Sequence, residues 1–140
     1  MLIRGDLPLK RVNFGGYDGV GIKLTDVFSL IYFIGMCLAF QKYKELEEVS
    51  LRYNNNFKNK QLLTLVYNCP HLKYLNLGHC EHISDEGLQY ISTLKEIEKL
   101  NLNELNLITD NGVLNMAEKL KRTLKEISVN GASIQLFYIF

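Results

Sequence analysis

The chain has 140 residues, of which 47% are hydrophobic and 22% are charged, a composition typical of one globular domain. Its 16 Lys and Arg residues almost balance its 15 Asp and Glu residues, so the formal net charge is +1. Nonspecific binding to nucleic acid or to anionic lipid requires a basic excess, and we therefore expect neither.

The cysteines indicate the redox compartment. The chain has three cysteines, Cys37, Cys69 and Cys80, and an odd number cannot all pair in disulfides. The first residues, MLIRGDLPLKR, have no apolar stretch of the kind found in a secretory leader. These features predict an intracellular chain whose thiols are free.

A strand pattern, LxxLxL with other aliphatics allowed, recurs five times along the chain. The copies are Leu9-Val12-Phe14, Leu46-Val49-Leu51, Leu72-Leu75-Leu77, Ile97-Leu100-Leu102 and Leu124-Ile127-Val129. Their first residues are 37, 26, 25 and 27 positions apart, and a period of this length indicates a solenoid. The apolar residues alternate with polar ones, which predicts strands with one buried face.

Between the strand copies the apolar residues take helical spacing. The runs are Leu62 to Val66, Leu88 to Leu94 and Val113 to Leu120, and Ser84-Asp85 and Thr109-Asp110 precede the last two as candidate helix caps. Strand, turn and helix therefore repeat about five times. The pattern predicts an α/β, right-handed solenoid with a parallel concave sheet and helices on the convex side.

The N-terminal part of the chain departs from this pattern. Val27 to Phe40 is a run of 14 uncharged residues, too short for a helix that spans a bilayer, which needs about 20 residues. We expect a buried or docked helix. One leucine-rich domain, 1–140, would then comprise a divergent repeat (1–41), regular repeats (42–130) and an apolar C-terminal end (131–140).

One repeat resembles a known family. The residues Cys69-Pro70-x-Leu72-x-x-Leu75-x-Leu77-x-x-Cys80-x-x-Ile83-Ser84-Asp85-x-Gly87-Leu88 are similar to the cysteine-containing subclass of leucine-rich repeats. That subclass is best known from F-box substrate receptors. The chain also resembles the short mitochondrial coupling-factor-B-like proteins in length and repeat number. The other copies place Tyr17, Asn54, Leu105 and Ala132 at the position of Cys80, so one repeat matches the subclass fully.

The resemblance implies a protein-binding role in one of two settings. An F-box-type protein would be a substrate-recognition adaptor of a ubiquitin ligase, although no F-box is recognisable here. A coupling-factor-B-like protein would be a small subunit of a larger complex, in the cytoplasm or in mitochondria. Docking onto a membrane complex fits the second setting, whereas an integral membrane span does not.

Several Cys and His residues lie close together in sequence and raise the question of a metal site. They are Cys69, His71, His79, Cys80 and His82. Structural zinc is usually held by paired short spacings such as C-x2-C, which are missing here, so packing is the preferred interpretation. A glycine-rich turn around Tyr17 has no following Lys-Ser/Thr and is interpreted as a loop. We expect no enzyme, no cofactor, no metal and no small-molecule substrate.

Outward-facing residues of the stacked strands and turns would form a binding surface, which we call the concave face. It comprises Arg11, Asn13, Glu48, Ser50, Arg52, Tyr53, Tyr74, Asn76, His79, Lys99, Asn101, Asn103, Glu126 and Ser128. Opposite charges alternate along its first row, and Tyr74 is the predicted anchor because aromatic residues dominate interface hot spots. The alternative is a face that is merely solvated.

Apolar residues outside the strands offer a second docking surface. They are Phe28, Ile31, Tyr32, Phe33, Met36 and Phe40 in the first helix, and Phe137 and Phe140 near the C-terminus. Exposed apolar surface of this kind marks contact with a partner. It favours a scaffold subunit of a larger intracellular complex over a free adaptor, and it is equally compatible with a piece of a longer repeat array.

Overall fold

Strands and helices alternate along the chain in the computed structural model. The structure describes residues 9–15 and 26–130, and the side chains of the first helix from residue 34 onward. The elements are β1 (Arg11–Asn13), α1 (Asp26–Lys42), β2 (Glu48–Ser50), α2 (Asn59–Asn68), β3 (Tyr74–Asn76), α3 (Asp85–Ile91), β4 (Lys99–Asn101), α4 (Asp110–Leu120) and β5 (Glu126–Ser128). The predicted strands and helices are thus confirmed.

The five strands form one parallel sheet in chain order, β1-β2-β3-β4-β5. The register aligns the central residues Val12, Val49, Leu75, Leu100 and Ile127, one from each copy of the sequence pattern. Since side chains alternate along a strand, these residues point toward the helices and their neighbours point away. The predicted stacking of the repeats is confirmed, including its register.

Apolar side chains of each repeat form one continuous core between the sheet and the helices. Phe40 of α1 is fully buried and its ring meets Phe14 edge-on, with centroids 5.8 Å apart. Met36, one helical turn earlier, is 3% exposed. The prediction that Met36 and Phe40 dock onto a partner is therefore wrong: they lie on the face of α1 that must cover the sheet.

Two cysteines are core residues, as predicted. Cys69 and Cys80 have no exposed surface, and the Cys80 thiol donates to the carbonyl of Leu51 in the preceding repeat at 3.1 Å. Burial raises the pKa of both thiols to about 12, so they remain protonated and are poor nucleophiles. Cys37, in α1, is only half-buried.

Polar side chains connect the first turns of α2 and α3 to the next repeat. Asp85 accepts hydrogen bonds from the backbone N–H (2.8 Å) and the hydroxyl (2.6 Å) of Thr109. One repeat earlier, the side-chain amide of Asn59 donates to the hydroxyl of Ser84 at 2.7 Å. Thr109 also caps its own helix through Gly112 N–H, whereas Ser84, predicted as a cap, makes no such bond.

A charged residue stands directly before each of the five described strands. Glu47 lies between Lys10 (2.6 Å) and Lys73 (3.1 Å), and Lys125 pairs with Glu98 at 2.8 Å. Signs alternate from one strand to the next, so each side chain faces an opposite charge. These exposed pairs contribute little individually to the stability of the fold.

The contact between Asp85 and the following helix gives a testable prediction. A Cβ at residue 112 would lie 2.0 Å from Oδ1 of Asp85, so Gly112→Ala must displace that carboxylate. Asp85→Ala and Gly112→Ala should each lower the free energy of unfolding by about 1–2 kcal/mol, since both break the same bonds. The loss of free energy of unfolding in the double variant should be much smaller than the sum of the two single losses.

Urea denaturation measures these differences. Asn111→Ala, at the exposed position directly before Gly112, serves as the control and should change the free energy of unfolding by less than about 0.5 kcal/mol. Additive losses in the double variant would show that Asp85 and Gly112 act separately.

A second prediction concerns His71, whose Nδ1 lies 2.9 Å from a carboxylate oxygen of Glu96. Glu96 raises the pKa of His71, with smaller contributions from Glu45 and Glu47. Because the folded-state pKa is the higher one, the pair stabilises the fold fully below about pH 6.5 and ceases to do so as the pH rises through the raised pKa.

An NMR titration of the His71 ring tests this. Glu96→Gln should lower the pKa of His71 toward the ordinary value of about 6.5, whereas Glu118→Gln, on α4, should leave it unchanged. An identical pKa in the Glu96→Gln variant would rule out this pair as the cause.

Candidate protein-binding surface

The first row of the concave face is brought together as predicted. The sheet register places in line Arg11, Glu48, Tyr74, Lys99 and Glu126. Arg11 pairs with Glu48 at 3.1 Å and Lys99 with Glu126 at 2.9 Å, so the predicted charge pairing of neighbouring strands is confirmed. Tyr74 stands between the two ion pairs as the uncharged member of the row.

Amide side chains of the second row organise the turns. The Oδ1 of Asn13 accepts from Gly15 N–H at 2.8 Å, and that of Asn76 accepts from Gly78 N–H at 3.0 Å. Asn76 also donates to the hydroxyl of Tyr74 and is only 9% exposed. The interpretation of Asn76 as a contact residue is therefore wrong, because its side chain is buried against Tyr74 and the following turn.

Asn101 and Asn103 serve the same purpose in the last two repeats. Asn101 accepts from Asn103 N–H at 3.0 Å. The side chain of Asn103 in turn accepts from the Ser128 hydroxyl at 2.9 Å and from Asn130 N–H at 2.8 Å. These amide oxygens hold the backbone in place, so this end of the face is more rigid than a row of freely adaptable side chains would be.

An open depression of about 300 Å³ lies over strands β1 to β3, and we refer to it below as the depression. It is lined by Arg11, Val12, Asn13, Glu48, Val49, Ser50 and Tyr74. The small Asn and Ser side chains leave space above the sheet, and the phenol of Tyr74 forms one wall.

Two tight turns follow β2 and β3. In each, the N–H of the fourth residue donates to the first: Asn54 to Leu51 at 3.1 Å and Cys80 to Leu77 at 2.9 Å. The third residues, Tyr53 and His79, have φ of +63° and +59°. This left-handed conformation favours glycine and costs other residues roughly 1–2 kcal/mol.

The strained residues of these two turns are in contact. The rings of Tyr53 and His79 stack with centroids 4.3 Å apart, and the guanidinium of Arg52 lies 4.6 Å from the centroid of Tyr53. Arg52 also donates to the Tyr53 hydroxyl at 2.9 Å. We call these three residues the Arg–Tyr–His stack. A cation held against an aromatic ring is attracted by the negative face of the ring.

All three members of the stack were predicted as residues of the concave face, but their mutual contact was not. The sequence contains no marker for it, because a left-handed turn residue is recognisable only when it is Gly or Asn. Here the glycine, Gly78, stands one position earlier. A Cβ there would lie 3.2 Å from Oδ1 of both Asn76 and Asn101, so the missing side chain leaves room for these amide oxygens.

Apolar residues of the helices are exposed at positions other than those predicted. Leu38 of α1 is 59% exposed and Tyr67 of α2 is 83% exposed, and Ile34 and Leu63 lie one helical turn before them. The side chains of Phe28, Ile31, Tyr32 and Phe33, and residues Phe137 and Phe140, lie outside the described part of the chain. Their docking role stays a prediction.

Neither a metal centre nor a membrane span is found in the described part of the chain. Within residues 9–15 and 26–130, no three His, Cys, Asp or Glu side chains lie in a group able to hold a metal ion. In the same ranges no helix combines the length and the apolar character needed to cross a bilayer.

Comparison with protein families agrees with this architecture. A family model described as "Leucine Rich repeat" matches residues 68–92, which contain β3, its turn and α3. The neighbouring copies pair with β3 in the same register. Residues 68–92 are therefore similar to a leucine-rich repeat, and the chain folds as an α/β leucine-rich-repeat solenoid, a type of domain that typically binds proteins without catalysing a reaction.

Proposed function

We propose that the chain is a small scaffold subunit of a larger intracellular complex, cytoplasmic or mitochondrial, and that its concave face binds one partner protein. The observation that carries the proposal is the depression over β1 to β3, where small polar side chains lie beside an aromatic wall. Hot spots of protein interfaces are enriched in aromatic residues and arginine, and Tyr74 and Arg52 supply both here.

A scaffold must contact more than one protein, and the helices offer a second area. Leu38 and Tyr67 expose apolar surface on the side of the solenoid remote from the sheet, together with Ile34 and Leu63. Pairs of apolar residues four positions apart form a stripe along each helix. We infer that these four residues take part in a second contact, independent of the concave face.

The alternative is a substrate-recognition adaptor of an F-box-type ubiquitin ligase. The repeat at residues 68–92, with its buried Cys69 and Cys80, supports this alternative through its resemblance to that subclass. An adaptor would use the concave face for a substrate and would bind a ligase scaffold elsewhere.

Affinity purification of the full chain from its source cells, with quantitative mass spectrometry, separates these possibilities. Tyr74→Ala should reduce the recovery of one set of proteins at least about ten-fold, since truncating a hot-spot aromatic costs about 2 kcal/mol or more. The double variant Leu38→Ser with Tyr67→Ser should reduce the recovery of a different set of proteins. Recovery of a ubiquitin-ligase scaffold would favour the adaptor.

Matched controls are available on the same fold. Tyr90→Ala removes a half-buried tyrosine from α3, and Leu107→Ser removes an exposed leucine that lies outside both surfaces. Neither should change the recovery. If no protein is recovered specifically, or if all variants retain the same proteins, the scaffold proposal is wrong.

A further inference from the structure

We propose that the Arg–Tyr–His stack is an anion-binding anchor, which takes an acidic side chain, carboxylate or phosphate, of the partner segment that lies in the depression. The inference rests on the proposed function in one respect: the partner is a protein. It adds the chemistry of the group that the partner must present and the residues that recognise it.

The first argument is the charge balance of the strands. Five cations stand on or directly before a described strand, and each lies within hydrogen-bonding distance of a carboxylate. They are Lys10, Arg11, Lys73, Lys99 and Lys125. Arg52, two residues after the end of β2, is exposed and forms no ion pair with a carboxylate among residues 9–15 and 26–130. Among those residues it is therefore the cation beside the strands whose charge remains available to a partner.

The second argument is preorganisation. A guanidinium group has five N–H donors, and Arg52 uses one of them on the hydroxyl of Tyr53. The ring of Tyr53 fixes the position of the guanidinium and itself stacks on His79, so little freedom is lost when an anion binds. The free donors form the planar fork that matches a carboxylate or a phosphate.

The third argument is which residues occupy the left-handed turn positions. Tyr53, His79 and Glu104 take φ of +63°, +59° and +59° in successive turns, so this conformation belongs to the repeat. Glycine would take it without strain, yet two of the three positions carry rings that contact each other. Large rings at both positions make the stack possible, and a pair of glycines would abolish it.

Position along the sheet connects the stack to the depression. Glu48, Ser50 and Arg52 alternate along β2 and its extension, so they face the same side. At about 3.3 Å per residue, the four steps from Glu48 to Arg52 span roughly 13 Å. A partner segment of about four extended residues therefore reaches from the depression to the guanidinium.

The test uses three synthetic peptide pools, randomised except for a central Glu, phosphoserine or Gln, passed over the immobilised full chain. We expect the Glu pool or the phosphoserine pool to be retained about ten-fold better than the Gln pool, and the better of the two identifies the source of the anion. Equal retention of all three pools overturns the anchor and leaves the binding role intact. Retention of none also overturns it, and the proposed function is then decided by the affinity purification.

Variants assign the effect to the stack. Arg52→Gln should reduce the retention of the acidic pools to that of the Gln pool, whereas Arg122→Gln, an exposed arginine beyond α4, removes the same charge and should change nothing. Tyr53→Phe keeps the stacked ring and should retain most binding. Tyr53→Gly relieves the backbone and should lose it.

Thermal unfolding separates binding from folding. We expect the Tyr53→Gly variant to unfold at or near the temperature of the unaltered chain, because the strain that it relieves offsets the stacking that it loses. Full retention of the acidic pools by a folded Tyr53→Gly or Arg52→Gln variant would overturn the proposal.

Discussion

Backbone hydrogen bonds between successive repeats continue beyond the three-residue strands and into the turns. Leu51 N–H donates to Asn76 at 2.8 Å, and Tyr53 N–H donates to Gly78 at the same distance. The next repeat continues the series, with Leu77 bonded to Asn101 and His79 bonded to Asn103. A strand of three residues is too short to be stable by itself. Each turn therefore takes its shape from its neighbour, and the binding surface depends on this stacking.

The side chains of the surface divide into two groups under this constraint. Asn13, Asn76 and Asn101 use their amide oxygens to hold the turns, and the ionic residues of the strands neutralise one another. The remaining features, the wall formed by Tyr74 and the Arg–Tyr–His stack, are concentrated on the N-terminal three strands. A partner is thus expected to contact that half of the sheet most closely.

Much of the fold followed from the sequence because periodicity reports burial directly. The repeat spacing predicted the sheet order, and the alignment of the copies predicted the register, including the ion pairs of Arg11 with Glu48 and of Lys99 with Glu126. The burial of Cys69 and Cys80 was implied by the resemblance of their repeat to the cysteine-containing subclass. These features depend on which residues face the core, and the alternation of apolar and polar residues indicates which ones do.

Features that depend on backbone conformation or on a specific neighbour were not predictable. The apolar run of α1 did not reveal that Met36 and Phe40 face the core while Leu38 faces outward, since nearly every position is apolar. The stack of Tyr53 on His79 requires two left-handed turn residues that the sequence does not mark. Likewise, Ser84 resembled a helix cap, but its hydroxyl bonds to Asn59 of the preceding repeat.

Native-state hydrogen exchange tests the dependence of the surface on stacking most directly. The amides of Leu51, Leu77 and Leu102 each donate to the following repeat, and those of Tyr53 and His79 donate from the turns. If stacking holds the surface, all five should exchange with one shared free energy of opening, equal to that of global unfolding. Exchange of the Tyr53 and His79 amides at the rate of an unstructured peptide, while the strand amides stay protected, would contradict the account.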